Sequence, residues 1–96
     1  MAKIEKITWS LKSVENLDDI SNYISKNSPL YAPVFIQKII KSVDRLIEFP
    51  LSGRVVPEFN DENIRELIFH NYRIVYRVNF NNVEIILVIH GARLIK

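Results

Sequence analysis

The sequence has no cysteine and only two glycines among its 96 residues. Without thiols there is no disulfide framework and no thiolate metal site, which leaves His70 and His90 as the only imidazole ligands. Neither a structural zinc nor any other metal or cofactor is expected. Gly53 and Gly91 cannot build a glycine-rich phosphate loop, and no Gly-x-Ser-x-Gly elbow occurs, so NTP hydrolysis, dinucleotide chemistry and serine hydrolysis are excluded. No apolar run approaches the roughly 18 residues that a spanning helix needs. The opening Met1-Ala2-Lys3-Ile4-Glu5-Lys6 lacks the apolar stretch of a secretory leader, so a cytoplasmic protein without a membrane partner is expected.

The remaining composition, 48% hydrophobic and 25% charged, is that of an ordinary globular chain, and the length suits one domain over residues 1–96. The net charge of +2 conceals a split. Residues 1–62 hold 8 Lys/Arg against 9 Asp/Glu, whereas residues 63–96 hold 5 against 2. Arg65, Arg73, Arg77 and Arg93 all fall in that last third, and arginine is the cation suited to bidentate contact with phosphate. Two readings follow: a basic surface for a polyanion, or arginines that merely solvate an open sheet face.

Lys3–Trp9 reads as a short strand, and Ser10 is placed to cap the helix that follows. Leu11, Val14, Leu17, Ile20 and Ile24 recur at helical spacing. Ser28-Pro29 signals a second helix start, although Pro33 either removes its first hydrogen bond or moves the start toward Ala32. Phe35, Ile36, Ile39, Ile40, Val43, Leu46 and Ile47 then form its apolar stripe. Pro50-Leu51-Ser52-Gly53 is a turn, and residues 54–63 read as a surface connection. Three strands follow at Ile64–Phe69, Tyr72–Asn79 and Val83–Ile89. Alternation sends Tyr72, Ile74, Tyr76 and Val78 to the core and Arg73, Val75, Arg77 and Asn79 to a wet face. In the last strand the expected inward row is Val83, Ile85, Leu87 and Ile89, while Ile64/Ile68 and Leu67/Phe69 compete for the core in the first. The order β-α-α-β-β-β implies an α+β fold, with a helical hairpin packed on one face of a small antiparallel sheet.

The candidate chemistry lies on these terminal strands. Arg73 and Arg77 share a face at about 13 Å, and guanidinium groups of this kind can neutralise charge growing on a phosphodiester. Alternatively, one or both pair across strands with Glu66 or Glu84. His90, beside Gly91 and Arg93, has an imidazole suited to proton transfer near neutrality, or it simply ends a strand. His70 reads as a turn residue.

These residues resemble the RelE/ParE superfamily of type II toxin–antitoxin toxins. The likeness covers almost the whole chain. It rests on Trp9-Ser10, on Ser28-Pro29, and on Phe49-Pro50-Leu51-Ser52-Gly53-Arg54 leading to Pro57-Glu58. Ile64-Arg65-Glu66-Leu67, Tyr72-Arg73-Ile74-Val75-Tyr76-Arg77-Val78 and His90-Gly91-Ala92-Arg93 complete it. The resemblance implies growth inhibition, most simply by metal-independent, ribosome-dependent mRNA cleavage. In that role Arg73 and Arg65 would hold the phosphate, Arg93 would assist and His90 would protonate the leaving oxygen, with Arg77 adding to RNA binding. RelE-like nucleases usually continue into a segment with a catalytic tyrosine, whereas this sequence ends Leu94-Ile95-Lys96. That departure brings forward the ParE-like alternative, a non-catalytic inhibitor of DNA gyrase. Either way the resemblance implies a cognate antitoxin whose acidic or amphipathic tail folds onto the toxin.

Overall fold

A computed structural model describes residues 3–93 and 95. Met1, Ala2, Leu94 and Lys96, which enter the leader and chain-end expectations above, lie outside the described residues. The chain runs β1 (Lys6–Trp9), α1 (Leu11–Ser25), α2 (Ala32–Ser42), a 3₁₀ turn (Asp44–Ile47), β2 (Arg54–Val55), β3 (Ile64–Phe69), β4 (Tyr72–Val78) and β5 (Asn82–His90). The strands form one sheet in the order β1-β5-β4-β3-β2, with both helices on one face. This is the α+β arrangement expected from the sequence. The sheet is mixed rather than wholly antiparallel, because β1 pairs parallel with β5, from Lys6 opposite Asn82 to Trp9 opposite Ile85. Parallel neighbours need a long crossover, and the helices and meander between β1 and β5 provide it. The two-residue β2 adds a strand in the stretch read as a loop, setting Arg54 opposite Glu66.

Local chemistry fixes the helix starts. The Ser10 hydroxyl accepts the Ser13 N–H at 3.0 Å, satisfying an orphan donor of the first turn of α1. It also donates to the Ile86 carbonyl at 3.1 Å, which pins this helix end to β5. That anchor turns Ser13, Leu17 and Ile20 inward, so Leu11, counted in the sequence stripe, is 76% exposed. The regular turns of α2 begin at Ala32, with Pro33 in the first turn where its missing N–H costs nothing. Ser28-Pro29 instead opens a preceding turn, in which the Ser28 carbonyl accepts the N–H groups of Tyr31 and Ala32.

Phe35, Ile39, Val43 and Leu46 from the α2 region, with Leu17 and Ile20 from α1, pack against Leu67, Ile74, Tyr76, Val83, Ile85 and Val88 of the sheet. The inward row of β5 differs from strict alternation. A register shift between Val75 and Tyr76 pairs them with Leu87 and Ile85 and leaves Ile86 between, as a β-bulge does. The extra residue reverses the parity beyond it: Val88 joins the main core, while Leu87 packs with the cluster on the opposite face. The same reversal sets His90 across from Tyr72 instead of on the outer face. On β3, Leu67 and Phe69 take the helix side, whereas Ile64 enters the second cluster and Ile68 is 58% exposed.

The face expected to be wet is partly closed. Val75 is fully buried beside Val56 and Ile64, with Ile86, Leu87 and Ile95 packed around them. Residues after β2 and the segment after β5 supply this cover, which leaves Arg77 and Asn79 exposed.

Candidate functional site

The turn before β2 is tied to a core side chain on the helix-ward face of β4. The Gly53 N–H donates to the Tyr76 hydroxyl at 3.0 Å, and that hydroxyl donates to the Pro50 carbonyl at 2.8 Å. A Cβ on Gly53 would stand 2.6 Å from the Glu66 carbonyl oxygen, so glycine is required for so close an approach. Burial pushes the Tyr76 hydroxyl pKa up, which keeps it protonated and able to donate.

Arg73 projects from β4 into the closed part of the opposite face and is only 4% exposed. Its Nε donates to Glu66 Oε1 at 2.6 Å, while Nη1 and Nη2 grip the two oxygens of Glu58 at 2.8 Å each. Nη1 also donates to the Arg93 carbonyl at 3.0 Å, so four of the five N–H groups of this guanidinium are committed. The carboxylate of Glu66, fully buried, accepts from Arg54 Nε at 2.5 Å on its other oxygen. The result is a ladder of alternating charge: Arg54, Glu66, Arg73, Glu58. The bidentate contact with Arg73, followed by the Ile95 N–H, holds the Glu58 carboxyl down at about 2. The same contact raises the Arg73 pKa further above its usual value, against the opposing effect of burial.

The other arginines are dispersed. Arg65 on β3 donates through Nε to the Glu62 carbonyl at 2.9 Å and through Nη1 to the Gly53 carbonyl at 2.9 Å, stapling the turn before β2. Arg77 shares the Arg73 face but stands exposed, 3.7 Å from Glu84 on the neighbouring strand. Cross-strand pairing thus accounts for both arginines of β4. Arg93 is exposed just beyond β5, where its N–H bonds the His90 carbonyl at 3.0 Å in a turn.

His90 ends β5 with its ring 5.8 Å from that of Tyr72, edge to face. Its Nδ1 accepts the Ala92 N–H at 3.2 Å, an arrangement that leaves the proton of the neutral ring on Nε2. A small cleft there is lined by Tyr23, Asn71, Tyr72 and His90. Burial raises the Tyr72 pKa, with a smaller push from Tyr23. His70 is the hairpin turn residue, at a φ of 52°, with its ring against Phe69.

Of the residues singled out in the sequence, the structure brings together Arg73 and the backbone of Arg93. His90 belongs with Tyr72 on the helix-ward side, and Arg65 lies opposite Tyr76 further along the sheet. Sequence reading missed Glu58 and Arg54 as partners of Arg73. The Pro57-Glu58 pair stood in the motif, but nothing in its spacing says that the loop folds back over β4. It also missed a groove between α1 and the second half of β5. Lys12, Asp19, Leu87, Ile89, Arg93 and Ile95 line that groove together with Asn16, whose amide oxygen accepts the Val88 N–H at 3.0 Å. Among the described residues no group of three or more acidic or histidine side chains could hold a metal ion, and no helix is long and apolar enough to cross a membrane.

The family model described as "ParE toxin of type II toxin-antitoxin system, parDE" matches residues 7–95. The chain is 36% identical over 89 residues to the putative toxin Y4kP of Sinorhizobium fredii, covering 91% of this chain and 88% of that one. It is 31% identical over 90 residues to toxin RelE2 of Caulobacter vibrioides, covering 93% and 98%. Among solved structures, a chain from the chromosomal ParDE system of P. aeruginosa superposes with a TM-score of 0.78 at 20% identity, covering 93% of this chain and 98% of that one, which is a likeness of fold. With the family model spanning both helices and, but for Lys6 at the start of β1, every strand of the sheet, the chain belongs to the ParE toxin family of type II toxin–antitoxin systems.

Proposed function

We propose that the protein inhibits growth by binding its target without cutting RNA, and that DNA gyrase, which the ParE resemblance implies, is that target. The observation that carries this reading is the occupancy of Arg73. A guanidinium that is to clamp a scissile phosphate needs free donors facing solvent, and this one is buried and engaged by two carboxylates and a carbonyl. Arg65 is likewise turned onto backbone carbonyls, and His90 stands apart from both.

The antitoxin that family membership implies is an acidic or amphipathic segment. Its match on this surface is the groove between α1 and β5, lined by the cations Lys12 and Arg93 against the single acid Asp19, and by the apolar Leu87, Ile89 and Ile95. In a supercoiling assay the purified toxin should inhibit gyrase at micromolar concentration, and the antitoxin should reverse it. Primer extension on transcripts from the arrested cells should show intact mRNA.

One observation favours the second reading, ribosome-dependent mRNA cleavage. The exposed His90 imidazole adjoins a cleft shared with Tyr72 and Tyr23, a place for proton transfer and base stacking. Mapped cleavage sites with unimpaired supercoiling would establish that reading and overturn the first.

A further inference from the structure

We infer that Glu58 and Arg73 are positioning residues. Together they latch the segment after β5 across the second sheet face, so that Arg93 stands in the wall of the groove that Lys12 shares.

The geometry is a three-way junction. Glu58 comes from the loop after β2, Arg73 from the middle of β4, and the third party is backbone: Arg73 Nη1 donates to the Arg93 carbonyl, and the Ile95 N–H donates to Glu58 Oε2 at 3.1 Å. One carboxylate and one guanidinium thus hold two backbone groups, the Arg93 carbonyl and the Ile95 N–H, on either side of a single ion pair. The segment reaches this point by a turn in which the Gly91 N–H bonds the Asn71 carbonyl at 2.6 Å and the Arg93 N–H bonds the His90 carbonyl. The Ile95 side chain then completes the cluster of Val56, Ile64 and Val75.

That apolar cluster alone is a weak anchor. Among the described residues it has three buried side chains, and none of the side chains packed with them comes from a helix. The segment's place therefore depends on the charged junction, whose bonds are directional and short. Displacing the segment would leave Arg73 with an unsatisfied N–H and Glu58 with a vacant lone pair beside it, a penalty that keeps the segment seated. The junction also fixes where Arg93 can project. Its backbone is tied on both sides, by its own N–H and by its carbonyl, while its side chain stays in solvent.

The latch follows from these contacts alone, whereas the anionic partner that meets Arg93 rests on the reading given above. The substitution Glu58→Gln separates charge from shape. Glutamine supplies one acceptor oxygen where the guanidinium fork and the Ile95 N–H together need two, and its amide hydrogens face donors. In the full chain, amide exchange followed by NMR should show Ile95 and Arg93 exchanging at least about tenfold faster in Glu58→Gln than in the wild type. Ile74 and Ile85 should be unchanged, and Glu58→Asp should restore part of the protection. Unaltered exchange at Ile95 overturns the latch, and so does uniform acceleration at every amide, which would mean a general loss of stability.

The functional arm uses a glutamate-rich decapeptide as the anionic probe. Its affinity should fall several-fold in Glu58→Gln and in Arg93→Ala alike. Glu58→Gln removes a negative charge, so simple electrostatics would strengthen anion binding and only a displaced Arg93 weakens it. Weakened binding in Arg93→Ala with none in Glu58→Gln overturns the positioning role. A wild type that fails to inhibit gyrase but shows the exchange pattern overturns the proposed target and leaves the latch standing.

Discussion

The two faces of the sheet are closed by different forces. On the helix-covered face, Leu17, Phe35, Ile39 and Leu46 meet Leu67, Ile74, Tyr76 and Ile85, an apolar contact that depends on shape and area. On the other, Val56, Ile64 and Val75 make a cluster too small to hold a loop and the segment after β5, and the ladder Arg54–Glu66–Arg73–Glu58 supplies the rest. Apolar contacts tolerate sliding, whereas paired charges out of water fix position, because a displaced partner leaves an uncompensated ion. The helix-ward face therefore holds through many interchangeable contacts, whereas the other hangs on a few charged groups whose places are fixed and whose single loss is costly.

The largest expected effect breaks that ladder. Arg73→Ala should cost about 3–5 kcal/mol in urea unfolding, since it strands the Glu66 carboxylate in a buried place with only Arg54 to offset it. Replacing both partners by apolar residues, Arg73→Met with Glu66→Leu, should recover most of the loss, because the desolvation of both charges is removed with their attraction. A cost below about 1 kcal/mol for the single change would erase the contrast between the faces. Acid tests the same network. The folded-state value for Glu58 lies at about 2, below its ordinary 4.5. Protons then bind the unfolded chain more readily, so the Glu58 contribution is complete above about 4.5 and is lost as pH falls toward 2. The gap between the urea midpoints of wild type and Glu58→Gln should stay constant at neutral pH and close across that acid window.

On the helix side a smaller effect is expected from one hydroxyl. Tyr76→Phe keeps the ring in the core but leaves the buried Gly53 N–H without its acceptor, at about 1–3 kcal/mol by thermal unfolding. The Pro50-Leu51-Ser52-Gly53 turn should loosen with it, and the amide of Gly53 should lose protection while that of Ile74 does not. Equal exchange at Gly53 in both proteins would show that the turn is held by Arg65 alone.

Much of the helix-ward face was legible in the sequence, because periodicity reports which residues share a face. The stripes of α1 and α2 and the alternation of β4 identified the two helices and the central strand. Leu87 and Val88 exchanged roles because a bulge at Ile86 adds one residue, and no propensity marks where a ladder slips. The second face was less legible for a related reason. Its cover comes from segments without period, and Glu58 meets Arg73 only after the loop folds back, a contact 15 residues apart. Composition placed arginines on the terminal strands. Whether each one faced solvent or a carboxylate was decided by tertiary partners.

Arg77 gives the smallest effect and the sharpest control. It lies on the same strand and face as Arg73, four residues on, and also faces a cross-strand carboxylate. The difference is cover: the pair with Glu84 is open to water, with side chains 46% and 35% exposed, and the atoms stand 3.7 Å apart. Arg77→Ala should therefore change the unfolding free energy by only about 0.2–1 kcal/mol, and by less as salt is raised. A loss approaching that of Arg73→Ala would mean that strand position, rather than burial beneath the loop and the segment after β5, gives these arginines their weight. A small, salt-sensitive loss instead assigns the weight to the cover, and leaves Arg77 free to meet an anionic partner that Arg73 cannot reach.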